Sequence, residues 1–216
     1  MITKYGYDVF FTVSIICLLL IVLSLIFVEP KIPKYCVVAL SVVLLGLTIN
    51  FFRDPERTSP TGESLVLSPA DGKIIAIRQL DEKEFLGSGA TLISVFMSPL
   101  NVHVNRNPIS GKVKYLRYVK GEYFAAFEDK ASEKNEQMLI GIEGALGRVL
   151  FKQIAGFIAR RIVCTLKMED TVKAGERFGM IKFGSRVDVF VPATASVRAK
   201  VGDETVAGET VLAELH

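Results

Sequence analysis

Tryptophan is absent from this 216-residue chain, so no tryptophan belt marks a membrane interface. Histidine is nearly absent. Only His103 and His216 occur, and His216 is the final residue of the sequence, so any imidazole acid–base chemistry falls on His103. Cysteine is scarce: Cys17 and Cys36 lie inside apolar runs and only Cys164 lies beyond them. That pattern offers neither a disulfide framework nor zinc-ligand spacing. A surplus of one charge sign is also lacking. The net charge is +3, and from Arg53 onward 23 basic residues face 21 acidic ones, a balance that does not suggest nucleic acid as a partner.

Apolar residues are what the chain has in excess: half of it is hydrophobic and the mean hydropathy is +0.38. The excess sits at the front. Val9–Val28 is a charge-free run of 20 residues and Tyr35–Phe52 one of 18, each close to what crosses a hydrocarbon core of ~30 Å. "EPKIPK" (Glu29–Lys34) between them suits a tight interfacial turn. A cleavable leader is the competing reading, but the first run is long, lacks a small-residue cleavage site and is followed by a second apolar segment. Residues 1–52 are therefore expected to form a two-helix membrane hairpin. Its turn carries Lys31 and Lys34, its flanks Lys4, Arg53 and Arg57, and the flanks are taken as the cytoplasmic side.

Beyond Arg53 the composition changes. "RDPERTSPTGES" reads as a polar linker, and then short β-rich runs alternate with Gly, Pro and Asp turns, as in "LVLSPADGKIIAI" and "GATLISVFMS". Residues 53–216 are expected to be mainly β. One stretch, "GALGRVLFKQIAGFIARRIV" (Gly144–Val163), reads as a strand leading into a short helix around "FKQIAGFIARR". An internal repeat closes the chain: Ala174-Gly175-Glu176 and Ala207-Gly208-Glu209 lie 33 residues apart, each followed by an apolar strand. "SPADGKI" (Ser68–Ile74) and "VPATASV" (Val191–Val197) also pair as Pro-Ala turns entering strands. These hairpins resemble those of biotinyl/lipoyl-type hybrid barrel-sandwich domains.

Taken singly, the polar residues are unremarkable. A lone His103 on a strand is more often structural, Asp71-Gly72 is an ordinary turn pair, and Gly184-Ser185 between apolar runs reads as a turn or bulge. In order, however, "FFRDPER", "SPADGKI", "MSPLNVHVNRNP", "KQIAGFIARRIV", "GERFGMIKFGSRVDVFVP" and "VGDETVAGETVLAEL" resemble the phosphatidylserine decarboxylase family in its short, membrane-anchored form. The resemblance implies a proenzyme that cuts itself between Gly184 and Ser185 into a β chain, 1–184, and an α chain, 185–216. It implies that Ser185 becomes a covalent pyruvoyl cofactor, which then decarboxylates phosphatidylserine to phosphatidylethanolamine and CO2 through a Schiff base. Asp71 and a histidine would activate Ser185, and no metal is implied.

The chain departs from many members at one place. They carry two histidines three residues apart, whereas this chain has His103 and then Arg106, so His103 serves both steps or Asp71 acts with Arg106 or water. The triplet Gly-Ser-Arg also differs from the more usual Gly-Ser-Thr or Gly-Ser-Ser. Arg160 and Arg161, with Arg148 and Lys152 nearby, are candidates for the lipid phosphodiester, or else a solvated basic face. The expected partners are the membrane phospholipid, with archaetidylserine as the alternative headgroup carrier, and the α chain on its own β chain; association of whole copies stays open. The expected location is the cell membrane, with the catalytic part on the cytoplasmic face. Two rivals predict one uncut chain. A biotinyl-type carrier has Lys167-Met168 on the wrong side of the acidic turn, and a membrane-fusion adaptor lacks its long heptad hairpin.

Overall fold

The computed structural model describes residues 1–122, 124, 134–156, 161–182 and 185–216. It divides into two compact units, Met1–Pro55 and Glu56–His216.

The first unit is a pair of helices, α1 (Tyr7–Phe27) and α2 (Lys31–Phe51). Both are long and apolar enough to cross a membrane. Apart from Phe51, the buried side chains of the two helices are small and polar or polarizable, Cys17, Ser24, Ser41 and Thr48, which lets apolar helices pack closely while leucine and isoleucine face outward. Ser24 Oγ donates to Lys34 O across the pair at 3.2 Å. The turn is shorter than expected. Lys31–Lys34 belong to the first turn of α2, where Pro33 lacks an N–H that would have no helical partner anyway. The open end is closed by backbone, with Thr3 N–H bonded to Phe52 O at 2.9 Å and Asp54 N–H to Met1 O at 2.7 Å. Glycine is required at position 6, because a Cβ there would run into the Phe52 ring.

The second unit is mainly β. Its strands are β1 (Leu65–Leu67), β2 (Gly72–Glu82), β3 (Ser88–Met97), β4 (Val104–Arg106), β5 (Gly111–Val119), β6 (Gln137–Gly144) and β7 (Gly147–Ile154). They are followed by β8 (Arg161–Cys164), β9 (Thr171–Val172), β10 (Arg177–Lys182), β11 (Ser185–Pro192), β12 (Ser196–Val197), β13 (Glu204–Thr205) and β14 (Val211–Glu214). Among the described residues they form an eight-stranded sheet, β13-β2-β3-β11-β7-β6-β5-β9, and two three-stranded sheets, β1-β14-β12 and β4-β10-β8. The large sheet curls around a main apolar core, with a smaller apolar cluster formed by Ala90, Leu92, Leu139, Leu150 and Phe190, giving the hybrid barrel-sandwich expected. The helix anticipated around "FKQIAGFIARR" is not seen where the chain is described. Phe151–Ile154 end β7 and Arg161 opens β8, since β-branched neighbours and a slot beside β11 favour extension.

The strand order reads the same from both ends once halves are matched, because the unit is an internal duplication. Gly72 pairs with Thr205 as Gly111 pairs with Val172. A register shift falls between Ile74 and Ala76 in one half and between Val113 and Tyr115 in the other. Gly208 N–H bonds to Ser68 O at 2.7 Å, and Gly175 N–H to Asn107 O at 2.8 Å. "SPADGKI" is thus the counterpart of "NPISGKV" (Asn107–Val113). This corrects the expected pairing with "VPATASV", whose shared Pro-Ala is only a local likeness. The two Ala-Gly-Glu turns meet: a Cβ on Gly208 would lie 3.2 Å from the Gly175 Cα. Both glycines have left-handed φ, +75° and +78°, a conformation other residues adopt at a cost.

One difference breaks the symmetry. β6 turns into β7 through Ala145-Leu146, with Gly144 opposite Gly147. At the matching place β3 and β11 are paired in the same way, Met97 opposite Ser185, but the chain between them is residues 98–184. One half is inserted into the other at a hairpin turn, and Ser185 marks the return.

The core lies on the inner face of the sheet, where Val187, Val189, Phe151, Ile93 and Ile140 are fully buried and Phe178 meets Phe151 edge-on at 5.3 Å. Phe151→Ala should destabilise this unit by about 3–5 kcal/mol, read by denaturant unfolding of the detergent-solubilised chain; a loss near zero would mean the two halves do not share this core.

Candidate active site

Ser185 is the first described residue of β11 and lies on the same inner face as Val187 and Val189, two and four residues on. It is fully buried. Its hydroxyl donates to the Met97 thioether sulfur at 3.3 Å, a weak acceptor, so the Oγ is held without a strong partner among the described residues. Gly184, the other half of the expected cut site, lies outside the described residues.

Asp71 occupies the turn that feeds β2. Lys73 is opposite Phe96 and Ser185 is opposite Met97, so the Asp71 turn and Ser185 occupy the same end of β3 on its two sides. The turn is fixed by Ser68 Oγ and Thr205 Oγ1, which both donate to Ala70 O at 2.8 and 2.9 Å. Asp71 Oδ1 accepts from Ala207 N–H at 2.7 Å. In the other half Ser110 Oγ accepts from Ala174 N–H at 2.9 Å in the same way. A hydroxyl therefore suffices for that hydrogen bond, and the carboxylate at position 71 adds a charge and a second oxygen. Oδ2 accepts from Arg57 Nη2 at 2.8 Å, and Arg57 Nη1 stands 3.8 Å from Glu209 Oε2. Glu209 in turn accepts from Thr58 N–H at 2.9 Å.

His103 is brought to the same end by the segment that leaves β3. Ser98–Asn101 form a turn, with Asn101 N–H bonded to Ser98 O and Ser98 N–H to Asn101 Oδ1, both at 2.9 Å. The buried imidazole places Nδ1 2.9 Å from Asn101 O. A carbonyl only accepts, so this contact assigns the proton to Nδ1 and leaves Nε2 as the basic nitrogen of the neutral ring. Two residues on, Asn105 Nδ2 bonds to Pro69 O at 3.3 Å and lies 3.8 Å from Met97 Sδ. Asn105 thereby links the Asp71 turn to the sulfur that holds Ser185.

Arg106 stands three residues after His103, where the resemblance implies a second histidine. Its side chain is buried and donates to Gly175 O at 2.8 Å, and its N–H bonds to Pro69 O at 3.0 Å. It ties together the meeting glycine turn and the Asp71 turn. Arg186, after the serine, points to the opposite face of β11. There its guanidinium bonds to Asp188 at 2.6 Å and to Ser94 Oγ at 2.8 Å. Arg161 is exposed and lies opposite Lys182 on β8, a strand of the β4-β10-β8 sheet that does not pair with β11. Arg160 lies outside the described residues. Arg148 pairs with Glu143 at 3.0 Å and Lys152 lies 5.0 Å over the Phe190 ring. Burial pushes the Cys164 thiol above its ordinary value, so it is protonated at neutral pH and no competitor for Ser185 as a nucleophile. Among the described residues no three His, Cys, Asp or Glu side chains cluster as metal ligands do.

Sequence reading missed Arg57, Met97, Asn105 and Gln153 as parts of the site. Arg57 was within reach, because it stands in the quoted "FFRDPER" run. The other three matter only through strand register.

A duplicated barrel-sandwich with a buried serine at a broken hairpin, and an aspartate and a histidine gathered at the same strand end, defines a class of β domain built around one strand terminus. Comparison with known proteins narrows it. Residues 44–213 match the family profile described as phosphatidylserine decarboxylase. The chain is 47% identical over 210 residues to a phosphatidylserine decarboxylase proenzyme of Chlorobium phaeobacteroides, covering 97% of this chain and 98% of the relative. It is 46% identical over 216 residues to one of Chlorobaculum parvum, covering 100% and 99%. The chain belongs to the phosphatidylserine decarboxylase family.

The two contacts of Arg57 should differ in strength. Double-mutant cycles in denaturant unfolding should give a coupling of about 1–3 kcal/mol for Arg57 with the mostly buried Asp71. Arg57 with Glu209, longer and more exposed, should give below about 0.5 kcal/mol. Equal couplings would show that Arg57 is not specific to Asp71.

Proposed function

We propose that this chain is a proenzyme that cuts itself between Gly184 and Ser185 and then decarboxylates phosphatidylserine to phosphatidylethanolamine and CO2. The observation that carries the reading is the position of Ser185: buried, weakly held, at the start of a central strand, with Asp71 and His103 at the same end of β3. The names of the relatives support the proenzyme and the substrate.

In the cut, Ser185 Oγ attacks the Gly184 carbonyl carbon while its proton passes to His103 Nε2. The Gly184–Ser185 C–N bond breaks as that proton is delivered to the Ser185 nitrogen, and the acyl group moves to oxygen as an ester. Loss of the Ser185 Hα and of the Gly184 carboxylate leaves a dehydroalanine, which takes up water and releases ammonia to give the pyruvoyl group. Asp71, held by Arg57 and by Ala207 N–H, supplies a carboxylate at the same end of β3. A glycine on the acyl side leaves the carbonyl uncrowded.

The surroundings of Ser185 fit that group. Among the described residues its hydroxyl has only a sulfur as acceptor, so removing it breaks no strong hydrogen bond there, and the carboxamides of Asn105 and Gln153 are neutral. The group supplies an electron-accepting carbonyl for the electrons left by CO2. His103 returns a proton to the substrate's former α-carbon, so one imidazole serves both steps. Strand β11 stays in place after the cut because it is paired with β3 from Ser185 to Pro192 and with β7 from Arg186 to Phe190.

Residues 1–52 act as the anchor and 53–216 as the catalytic part. The hairpin holds the catalytic part at the cytoplasmic face of the cell membrane, beside a substrate that stays in the bilayer. The lipid phosphodiester meets the basic stretch that includes Arg160 and Arg161.

Intact mass under denaturing conditions tests the reading. The wild-type chain should give two fragments, the smaller starting at a pyruvoyl group, and Ser185→Ala a single chain. Asp71→Asn should slow the cut by roughly 10²–10⁴-fold, the usual worth of assisted proton transfer. An uncut wild-type chain that still decarboxylates would remove the proposal.

A further inference from the structure

Inside the otherwise apolar concavity of the sheet, a row of polar and polarizable groups runs away from Ser185. Met97 Sδ accepts from Ser185 Oγ at 3.3 Å and lies 3.8 Å from Asn105 Nδ2, and Asn105 Oδ1 accepts from Gln153 Nε2 at 2.9 Å. Ser185, Asn105 and Gln153 are all fully buried. Gln153 shares its face of β7 with Phe151 and Val149, two core residues, so an aliphatic side chain would be the ordinary choice at this place.

The Gln153 carboxamide has a defined orientation. Its nitrogen sits between two acceptors, Asn105 Oδ1 at 2.9 Å and Val163 O at 3.4 Å, and Asn105 is itself oriented by donating to Pro69 O. Gln153 Oε1 is left as a buried acceptor to which no described residue donates. A buried acceptor without a donor costs free energy, and its persistence beside a reactive centre points to a donor that arrives from outside. Gln153 is opposite Val187, so Ser185 is its diagonal neighbour on the same face. Such pairs have Cα atoms roughly 7–8 Å apart, within reach of a long side chain.

We infer that Gln153 is a positioning residue for the substrate's primary amine: Oε1 accepts an N–H of the headgroup amine as it approaches residue 185, and Asn105 holds the carboxamide for that purpose. The inference rests on the reading above and deepens it by naming what recognises the amine. A carboxamide oxygen suits the role because it accepts a hydrogen bond and is far too weak a base to take the proton. The nitrogen is oriented while its lone pair stays available to the carbon at position 185. A carboxylate there would instead hold the amine as an ammonium ion, which is no nucleophile.

The test uses the full-length chain in detergent, as wild type, Gln153→Met, and the doubly apolar Asn105→Val/Gln153→Leu, which leaves neither carboxamide orphaned. Three quantities are read: the small fragment by mass, kcat and KM for phosphatidylserine, and inhibition by phosphatidylethanolamine against phosphatidylglycerol, which keeps the phosphodiester and lacks the amine. Gln153→Met should still yield the small fragment, and the double variant is assayed on the fraction that is cut. KM for phosphatidylserine and the inhibition constant of phosphatidylethanolamine should rise at least roughly tenfold, the loss of about one hydrogen bond, with phosphatidylglycerol inhibition within about twofold of wild type. Unchanged inhibition by the amine lipid, or equal weakening of both lipids, would overturn the inference. So would failure of both variants to be cut, because the pair would then serve the proenzyme. An uncut wild-type chain sinks the underlying reading instead, so the two failures are distinguishable.

Discussion

The antiparallel pairing of β3 with β11 is the interaction on which the rest of this molecule depends. It sets Ser185 against Met97, seats Val187 and Val189 in the core, and joins the two duplicated halves where β11 meets β7. β11 is paired on both edges from Arg186 to Phe190, and Ser185 before it is held opposite Met97 of β3; side chains on a sheet are placed more rigidly than those on loops. A serine on a surface turn would have the same side chain and none of this placement.

The polar groups around that strand end are organised in pairs that solve separate problems. Arg57 and Ala207 N–H hold the Asp71 carboxylate, the Asn101 carbonyl selects the His103 tautomer, and Arg106 anchors the glycine turn to the Asp71 turn. On the far side of β11, Arg186, Asp188 and Ser94 satisfy one another in the buried layer. Buried charge is tolerable only when its partners are this close. Arg186, after the serine, is therefore accounted for by its partners on the opposite face of the strand.

Much of this could be read from residue types alone. Two charge-free runs announced the helices, turn pairs at short intervals announced the strands, and the spaced Ala-Gly-Glu turns announced a repeat. What failed were readings that needed partners. "SPADGKI" has its true counterpart in "NPISGKV", where Ser110 replaces Asp71, and the Pro-Ala it shares with "VPATASV" carries no register. Lys31–Lys34 looked like a turn because of its prolines, although a proline in a first helical turn costs nothing. "FKQI" looked helical because strand and helix differ little in a short apolar run, and only the slot beside β11 decides. Asp71, His103 and Ser185 stood out as candidates because each sits in a motif. Asn105 and Gln153 were not, since a carboxamide in a strand becomes notable only when register buries it.

The two-residue turn between β6 and β7 has a further meaning. Ala145-Leu146 is what the Ser185 end would be had one half of the domain not been threaded through the other. A turn closes its strands and hides both backbone ends in a reverse bend, leaving nothing to break. Threading turned that bend into two long passages that arrive side by side and are tied only by their neighbours. On the proposed reading, the loss of one covalent link before Ser185 would leave β11 paired with β3 and β7. The doubling of a small β unit thus leaves one strand, β11, whose start is fixed by its neighbour in the sheet where its counterpart β7 starts from a two-residue turn.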